Sequence, residues 1–426
     1  MFGPDNHYRD ATVIRALSIH RGLLRIALIV LCCSLAILQL TPAQSADVSN
    51  DVVKIGVLTD MTGPFADFAG NGSLTAITMA VQDFGGKVAG KPIEVVSADH
   101  QNKADVGLEI ARRWFDLDHV DAIFDISNSG VALSVVNLAK DKNKIVVLGG
   151  VSSTRFTGDA CTANSIQYVY DANALSNVVA KQLLNEGADT WFFITVDFAF
   201  GHGLEKATAN VVTAGGGKVL GSVRHPLNTV DFAPYLLTAQ ASGAKVIALA
   251  NGGNDTVNAI KEGSEFGLTR SGSQRVASLL TFISDVHSMG LSQAQGLWLT
   301  EGFYWDTNDE TRAFSKRFFE KIHRMPTMVQ AGMYSAVMHY LKSVEAEASD
   351  DTAKVMAKMK ATPVNDFFAK NGHIRPDGLH VHDMYSMQVK APAESKYPWD
   401  YYIVRAVVPG TKAFSPSAPK NCPLTE

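Results

Sequence analysis

The stretch Val53-Lys54-Ile55-Gly56-Val57-Leu58-Thr59-Asp60, followed by Met61-Thr62-Gly63-Pro64, decides the fold class of this chain. Its run of β-branched and apolar residues predicts a strand, and the Thr-Gly-Pro segment predicts a turn. A helix is expected to follow and to end at Phe84-Gly85-Gly86, since glycine commonly terminates helices. A strand, a turn and a helix in this order are typical of an α/β protein.

The same alternation continues along the chain. Short apolar runs bounded by turn residues predict further strands at residues 93–97, 120–124, 145–148, 191–196, 218–223, 246–250 and 296–300. Helical patterns lie between them; Leu108, Ala111 and Phe115, for example, share one helical face. Strands that alternate with helices predict parallel sheets covered on both faces. The alternation pauses at residues 158–162, which indicates two βα-repeating lobes.

These patterns give a predicted domain organisation. Lobe 1 comprises residues 52–170 plus about 300–350, lobe 2 comprises residues 171–295 plus about 351–407, and residues 408–426 form an irregular tail. Residues 1–45 resemble a signal peptide, because a 15-residue apolar run, 26–40, follows two arginines and precedes small residues. A membrane anchor is the alternative, but the run is shorter than the ~20 residues that span a bilayer. We therefore expect export to the periplasm.

Charge and cysteine content narrow the function classes. The formal net charge of the whole chain is -4. The first 25 residues have a net charge of +2, so the net charge of the remainder is -6. Such a chain lacks the basic surface of a nucleic-acid-binding protein, and no nucleic acid is expected as a partner. Outside the N-terminal segment the only cysteines are Cys161 and Cys422. In an oxidising compartment we expect them to form one structural disulfide.

Signatures of catalysis and of metal binding are incomplete. Residues 215–218, Gly-Gly-Gly-Lys, lack the first glycine and the Ser or Thr of a phosphate-binding loop. His380 and His382 would face one side of a strand, as two metal ligands do, but no third ligand has suitable spacing, so we expect a solvated hairpin there. We therefore predict that the chain is not an enzyme and uses neither a metal nor another cofactor.

Small polar residues follow two of the predicted strands. Asp125-Ile126-Ser127-Asn128-Ser129-Gly130 opens one helix, and Gly149-Gly150-Val151-Ser152-Ser153-Thr154 follows the next strand. In an open parallel sheet, ligands bind beyond the carboxyl ends of the strands, where free N–H groups and helix dipoles favour anions. Ser129 and Ser152 are thus placed to hold a carboxylate, although either hydroxyl would also serve as a helix N-cap.

The ordered motifs resemble the leucine/isoleucine/valine-binding protein family, type I periplasmic binding proteins that serve ABC importers. The resemblance covers about residues 52–345 and rests on residues 54–57, 61–64, 85–86, 88–95, 99, 120–123, 129–132, 196–201, 215–219, 229–232 and 243–247. It implies two Rossmann-like lobes with central parallel sheets, hinged by three crossovers, that close on a small ligand. It also implies an inner-membrane ABC permease as partner, and we expect the protein to be a monomer.

The resemblance assigns roles to several residues. The carboxylate-binding serine of the family matches Ser129, its second anion-binding turn matches Gly150 and Ser152, and its two ligand-covering aromatics match Phe68 and Phe200, the latter lacking a hydroxyl. The predicted ligand-binding residues are Phe68, Asn128, Ser129, Gly150, Val151, Ser152, Phe200, Asn254, Phe282 and Tyr304.

Two departures from the family bear on the ligand. Asn254 stands where amino-acid binders place a tyrosine, and Leu280-Thr281-Phe282-Ile283 contains no acid where they place a glutamate for the ligand's ammonium group. Enclosing an unpaired ammonium costs several kcal/mol. An aromatic carboxylic acid or 2-keto acid is therefore favoured over leucine. A hydrophobic amino acid remains an alternative ligand if Asp197, Asp255 or Asp285 replaces the glutamate. A role as the ligand-binding subunit of a sensory system is a further alternative.

Overall fold

Two β-sheets flanked by helices form the body of the protein, as the alternating sequence pattern predicted. The structure is a computed structural model that describes residue 1 and residues 47–268, 274–416 and 421–424. It confirms the α/β class and the two lobes. Apart from Met1, the predicted signal peptide lies outside the described residues. Among those that are described, no helix combines the length and the apolar character needed to cross a membrane.

The first lobe is built on a six-stranded sheet. Its strands are β1 (Val53–Thr59), β2 (Lys87–Val88), β3 (Lys91–Asp99), β4 (Ala122–Asp125), β5 (Ile145–Leu148) and β6 (Ser165–Gln167), in the spatial order β2-β3-β1-β4-β5-β6. All neighbours are parallel except β2 and β3. The connecting helices are α1 (Gly70–Phe84), α2 (Ala104–Asp116) and α3 (Ser129–Lys142). The turns after the parallel strands therefore meet at one edge of the sheet.

The second lobe has a seven-stranded sheet with an antiparallel edge. The remaining strands of the chain are β7 (Thr190–Val196), β8 (Lys218–His225), β9 (Val246–Ala250), β10 (Arg275–Ser278), β11 (Trp298–Glu301), β12 (His373–Ile374), β13 (His380–Val381), β14 (Met384–Val389) and β15 (Tyr402–Val408). The sheet has the order β15-β14-β11-β10-β9-β7-β8, and β12 and β13 form a separate two-stranded sheet. The helices are α4 (Ala172–Asn185), α5 (Ala199–Ala214), α6 (Ala233–Ala241), α7 (Asn254–Glu265), α8 (Ile283–Met289) and α9 (Leu291–Ala294).

The packing of four further helices indicates which lobe each of these segments joins. They are α10 (Asp309–Ile322), α11 (Met328–Glu347), α12 (Thr352–Ala361) and α13 (Gly410–Ala413). Both α10 and α11 pack on α1, and α12 packs on α11. We therefore propose that α12 belongs to the first lobe, although about residues 351–407 are predicted in the second. Helix α13 lies within the tail that was predicted to be irregular.

Amphipathic patterning explains how the helices attach to the sheets. On α2, the predicted face is realised: Ala111 and Phe115 are buried in the first-lobe core with Trp114, while Arg112 and Arg113 are exposed. The core strands β4 and β5 are buried along their whole length, as expected for parallel strands covered on both sides. Burial of these apolar side chains is the main stabilising contribution to the lobe.

Two histidines lie against the segment that leads from β6 to α4. His380 Nδ1 is 2.9 Å from the carbonyl oxygen of Tyr168, and His382 Nε2 is 2.8 Å from that of Val169. Both rings are buried, so the expected solvated hairpin is wrong. Burial lowers the pKa of both imidazoles. Sequence alone missed this arrangement because the two histidines contact Tyr168 and Val169, which are more than 200 positions away.

A disulfide joins Cys161 of the first lobe to Cys422 near the C-terminus, with the two Cα atoms 5.7 Å apart. Two backbone carbonyl groups in the segment before Cys422 accept hydrogen bonds from side chains in the body of the protein. Asn177 Nδ2 donates to the carbonyl of Ala413 at 2.8 Å, and Arg375 donates to that of Ser415 at 2.6 Å. The described part of the tail is therefore attached to the body of the protein.

Candidate functional site

A cleft between the lobes lies at the carboxyl ends of the parallel strands and has a volume of about 710 Å³. Its walls consist of the segments that follow these strand ends. Residues 64–68 follow β1, 127–130 follow β4, 150–155 follow β5 and 198–210 follow β7. Ligands of open α/β sheets bind at this edge, so the cleft is our candidate ligand site.

The turn after β1 brings two aromatic rings into the cleft. The buried carboxylate of Asp60 accepts hydrogen bonds from the backbone N–H groups of Gly63 (2.7 Å) and Phe65 (2.9 Å), which fixes the Thr-Gly-Pro turn. The hydroxyl of Thr327 donates to the carbonyl of Phe68 at 2.7 Å. As a result the rings of Phe65 and Phe68 lie 5.5 Å apart on the first-lobe wall.

The turn after β4 is strained and presents Ser129. Asp125 and Ile126 have φ angles of 80° and 54°, in the left-handed region that non-glycine residues seldom adopt. Asn128 is the N-cap of α3, since its side-chain oxygen accepts from the N–H groups of Gly130 (2.8 Å) and residue 131 (3.2 Å). Ser129 is therefore the first residue of the helix and not its cap. Its position at a helix N-terminus favours an anion.

Ser127 belongs to a buried network behind this turn. Its hydroxyl accepts from the backbone N–H of Asp60 at 3.2 Å and lies 3.4 Å from His100 Nε2. Burial lowers the pKa of His100 to about 4, so the imidazole is neutral near pH 7. Asn102 donates to the Asp60 carboxylate and accepts from Asn128 at 3.4 Å. The network thus fixes the turns after β1, β3 and β4 relative to one another.

The turn after β5 approaches the cleft floor closely. A Cβ atom on Gly150 would lie 2.9 Å from Ser127 Cα and 3.0 Å from Phe68 Cε2, so only glycine fits without displacing its neighbours. The carbonyl of Ser152 accepts the N–H of Ala172 at 2.7 Å, which ties this turn to the start of α4. Both Gly150 and Ser152 line the cleft.

One face of α5 forms the wall on the second lobe. Phe200, Gly203, Ala207 and Asn210 lie at helical spacing along it, together with Lys206. The ring of Phe198 stands 5.6 Å from that of Phe200 and lines the cleft beside it. Leu227 and Leu280 complete this largely apolar wall.

The structure brings six of the ten predicted site residues into the cleft: Phe68, Asn128, Ser129, Gly150, Ser152 and Phe200. The other four lie outside its lining. Val151 is buried in the first-lobe core, and Tyr304 is buried in the second-lobe core, where its hydroxyl lies 3.4 Å from the carbonyl of Trp399. Asn254 is exposed at the start of α7, and Phe282 lies directly behind Phe68. A role for the six residues in binding stays a proposal.

Several cleft residues were missed by sequence reasoning. They include Phe65, Asn102, Ser127, Phe198, Lys206, Leu227 and Leu280. Ser127 lies within the predicted turn 125–130, and Phe65 directly follows the Thr-Gly-Pro turn. Lys206 lies six positions after Phe200, about 120° around α5 from it, so a helical face that starts at Phe200 does not include it.

The charges of the cleft are positive. Arg155 and Lys206 line it, and among the residues that the structure describes no aspartate or glutamate does. Arg155 is paired with Asp159, 2.8 Å away. The three acids that sequence left open as partners for an ammonium are placed elsewhere. Asp285 is buried and accepts from the N–H of Phe282 at 2.9 Å, and neither Asp197 nor Asp255 reaches the cleft lining.

The family model of the periplasmic binding proteins matches residues 52–396. The chain belongs to this family. As a periplasmic binding protein of the leucine/isoleucine/valine-binding type, it resembles a Leu/Ile/Val-binding protein homologue of Brucella melitensis, with 26% identity over 82% of this chain and 90% of the relative.

Two solved structures extend the comparison of this periplasmic binding protein. A periplasmic binding protein of Burkholderia mallei has 50% identity and a TM-score of 0.84 over 88% of this chain and 100% of that one. A branched chain amino acid ABC transporter periplasmic ligand-binding protein of Burkholderia xenovorans LB400 has 43% identity and a TM-score of 0.81 over 87% of this chain and 99% of that one. The protein is thus a periplasmic solute-binding protein of the branched-chain amino acid type of ABC transporter.

Proposed function

We propose that this protein captures a small carboxylic acid with an aromatic or otherwise flat apolar body and no amino group, and delivers it to an inner-membrane ABC permease. A 2-keto acid belongs to the same class. We further propose that the protein acts as a monomer and closes its two lobes on the solute. The observation that carries it is the charge of the cleft, which has cationic but no acidic side chains among its described lining residues.

An amino acid is disfavoured by this charge pattern. Its ammonium group needs a carboxylate or several acceptors once the lobes close. Asp285, the acid nearest in sequence to the expected position, is buried behind Phe282, and burial raises its pKa to about 7. An uncompensated buried charge costs roughly 3 to 5 kcal/mol. That penalty corresponds to a loss in affinity of about a hundredfold to a thousandfold or more.

The two ends of the proposed ligand have different surroundings. Its carboxylate is proposed to sit at Ser129, the first residue of α3, and at Ser152, since a helix N-terminus and hydroxyl donors favour an anion. Its apolar body is proposed to lie against Phe68 and Phe200 and the neighbouring Leu280. Aromatic rings supply large, rigid contact areas for such a flat body.

Calorimetric titration with four ligands tests the proposal, because they separate the amino group from the shape of the side chain. Phenylalanine and 3-phenylpropanoate differ only in the ammonium, and so do leucine and 4-methylpentanoate. We expect 3-phenylpropanoate to bind at least about a hundredfold more tightly than phenylalanine, and more tightly than 4-methylpentanoate. Tight binding of leucine without binding of either deaminated acid would overturn the proposal.

A further inference from the structure

We propose that Lys206 makes the cleft selective for diacids, in which a second carboxylate lies opposite the one held at Ser129 and Ser152. This inference rests on the proposed function and narrows its ligand class. Lys206 lines the cleft from the second lobe, whereas Ser129 and Ser152 line it from the first. A ligand held by one carboxylate at the first lobe therefore presents its far end to the wall that contains Lys206.

The charge of Lys206 is available for a ligand. Of the cationic side chains among the described lining residues, Arg155 is paired with Asp159, 2.8 Å away, and Lys206 is the other. Lys206 forms no ion pair with any carboxylate in the described part of the chain. Its neighbour Glu205 is engaged by Arg224 and by the hydroxyl of Thr195. An unpaired lysine beside an apolar surface is an attractive site for an anionic group, since no neighbouring acid competes for it.

The helix geometry places Lys206 beside Gly203 on the cleft wall. Lys206 follows Gly203 by three residues, about 60° around α5, and lies about 9 Å along the helix axis from Phe200. Side chains of a helix lean toward its N-terminus, so the lysine stem runs back toward the turn that contains Gly203. Gly203 has no side chain, and a Cβ atom there would meet nothing within 4 Å. The space over Gly203 therefore gives the ammonium room to approach the far end of a ligand that rests on Phe200.

Paired titrations with benzoate and benzene-1,4-dicarboxylate test this inference. We expect the wild-type protein to bind the dicarboxylate at least about tenfold more tightly, which corresponds to about 1.4 kcal/mol. In Lys206→Met, which keeps the length of the side chain and removes its charge, the preference for the dicarboxylate should fall by about tenfold. Lys181→Met is the matched control, because Lys181 is an exposed lysine on α4 outside the cleft lining.

The salt dependence of binding gives a second readout. Raising the salt from 0.05 to 0.5 M should weaken dicarboxylate binding more than benzoate binding, and Lys206→Met should remove the difference. Equal wild-type affinities for the two acids, or a preference unchanged by Lys206→Met, overturn the inference and leave the proposed function intact. Failure of both acids to bind, with tight binding of leucine, overturns the proposed function itself.

Discussion

The rings of Phe68 and Phe282 stack with their centroids 4.3 Å apart and an angle of 17° between their planes. Phe68 comes from the turn after β1 in the first lobe, and Phe282 precedes α8 in the second. Phe68 lines the cleft, whereas Phe282 is completely buried behind it. The pair therefore joins the lobes, and we propose that Phe282 contributes to the ligand site by supporting Phe68.

A double-mutant cycle tests this support. Phe282→Leu should weaken binding of 3-phenylpropanoate in the wild-type background and have little further effect in Phe68→Leu, because Phe282 acts through the ring that is then missing. The coupling energy between the two rings should be about 1 kcal/mol. Calorimetry and urea unfolding provide the two readouts. Phe318→Leu, at a buried position on α10, is the control for general loss of packing. Additive effects of Phe68→Leu and Phe282→Leu on affinity would contradict the proposed support of Phe68 by Phe282.

Gly150 should tolerate no side chain. In Gly150→Ala the new methyl group would meet Ser127 Cα at 2.9 Å and Phe68 Cε2 at 3.0 Å, so the turn or the ring must shift. We expect a loss of about 1 to 3 kcal/mol in the free energy of unfolding and weaker ligand binding. Gly203→Ala is the matched control in the same cleft, where the added atom meets nothing within 4 Å. If thermal unfolding gives equal losses for the two variants, the close approach at Gly150 is not the cause.

The two cleft serines should contribute to affinity and little to stability. Ser129→Ala and Ser152→Ala each remove one hydroxyl donor from the proposed carboxylate site, and we expect about a tenfold loss in affinity from each. Ser134→Ala provides the control, because Ser134 lies on the same helix α3 outside the cleft lining. Titration of all three variants with 3-phenylpropanoate measures the effect. Unchanged affinity in the double Ser129, Ser152 variant would remove the proposed anion site.

Loss of the disulfide should destabilise the protein. The bond between Cys161 and Cys422 closes a loop across 261 positions of sequence. Replacing both cysteines by alanine should lower the free energy of unfolding by roughly 2 to 5 kcal/mol. Differential scanning calorimetry measures the shift in Tm. Reductant should lower the Tm of the wild type toward that of the variant and leave the Tm of the variant unchanged. A lower Tm of the variant in reductant would show that loss of this disulfide is not the cause of the shift.

Stability should depend on pH through Asp285. Burial raises its pKa in the folded protein to about 7, above the ordinary value of 3.8, so the folded state binds the proton more tightly than the unfolded state does. Its stabilising contribution is complete below about pH 4 and is lost as the pH rises to about 7. Asp285→Asn should therefore gain stability relative to the wild type over this range, by up to about 4 kcal/mol.

Urea unfolding at several pH values between 4 and 8 measures this difference. The exposed substitution Glu109→Gln on α2 is the control, and its difference from the wild type should stay nearly constant. A constant difference for Asp285→Asn as well would show that the Asp285 carboxyl is not protonated in the folded state near neutral pH.

The alternating strands and helices, the two lobes and the family resemblance followed from the sequence, because hydrophobic periodicity and turn residues act over a few neighbouring positions. The serine-containing turns were found for the same reason. Strand ends of a parallel sheet share one edge, so Ser129 and Ser152 lie together in any such fold.

Other features depend on how distant segments close on one another, which local patterns do not record. The sequence predicts that Tyr304 and Phe282 are ligand-binding aromatics. In the structure, Tyr304 is buried in the second-lobe core and Phe282 is buried behind Phe68. His380 belongs to the predicted solvated hairpin, yet its ring is buried against Tyr168, 212 positions away. The sequence by itself determined the architecture of this protein and the position of the serine-containing turns at the cleft. Only the tertiary structure decided which side chains face the cleft, since that depends on contacts between residues far apart in the chain.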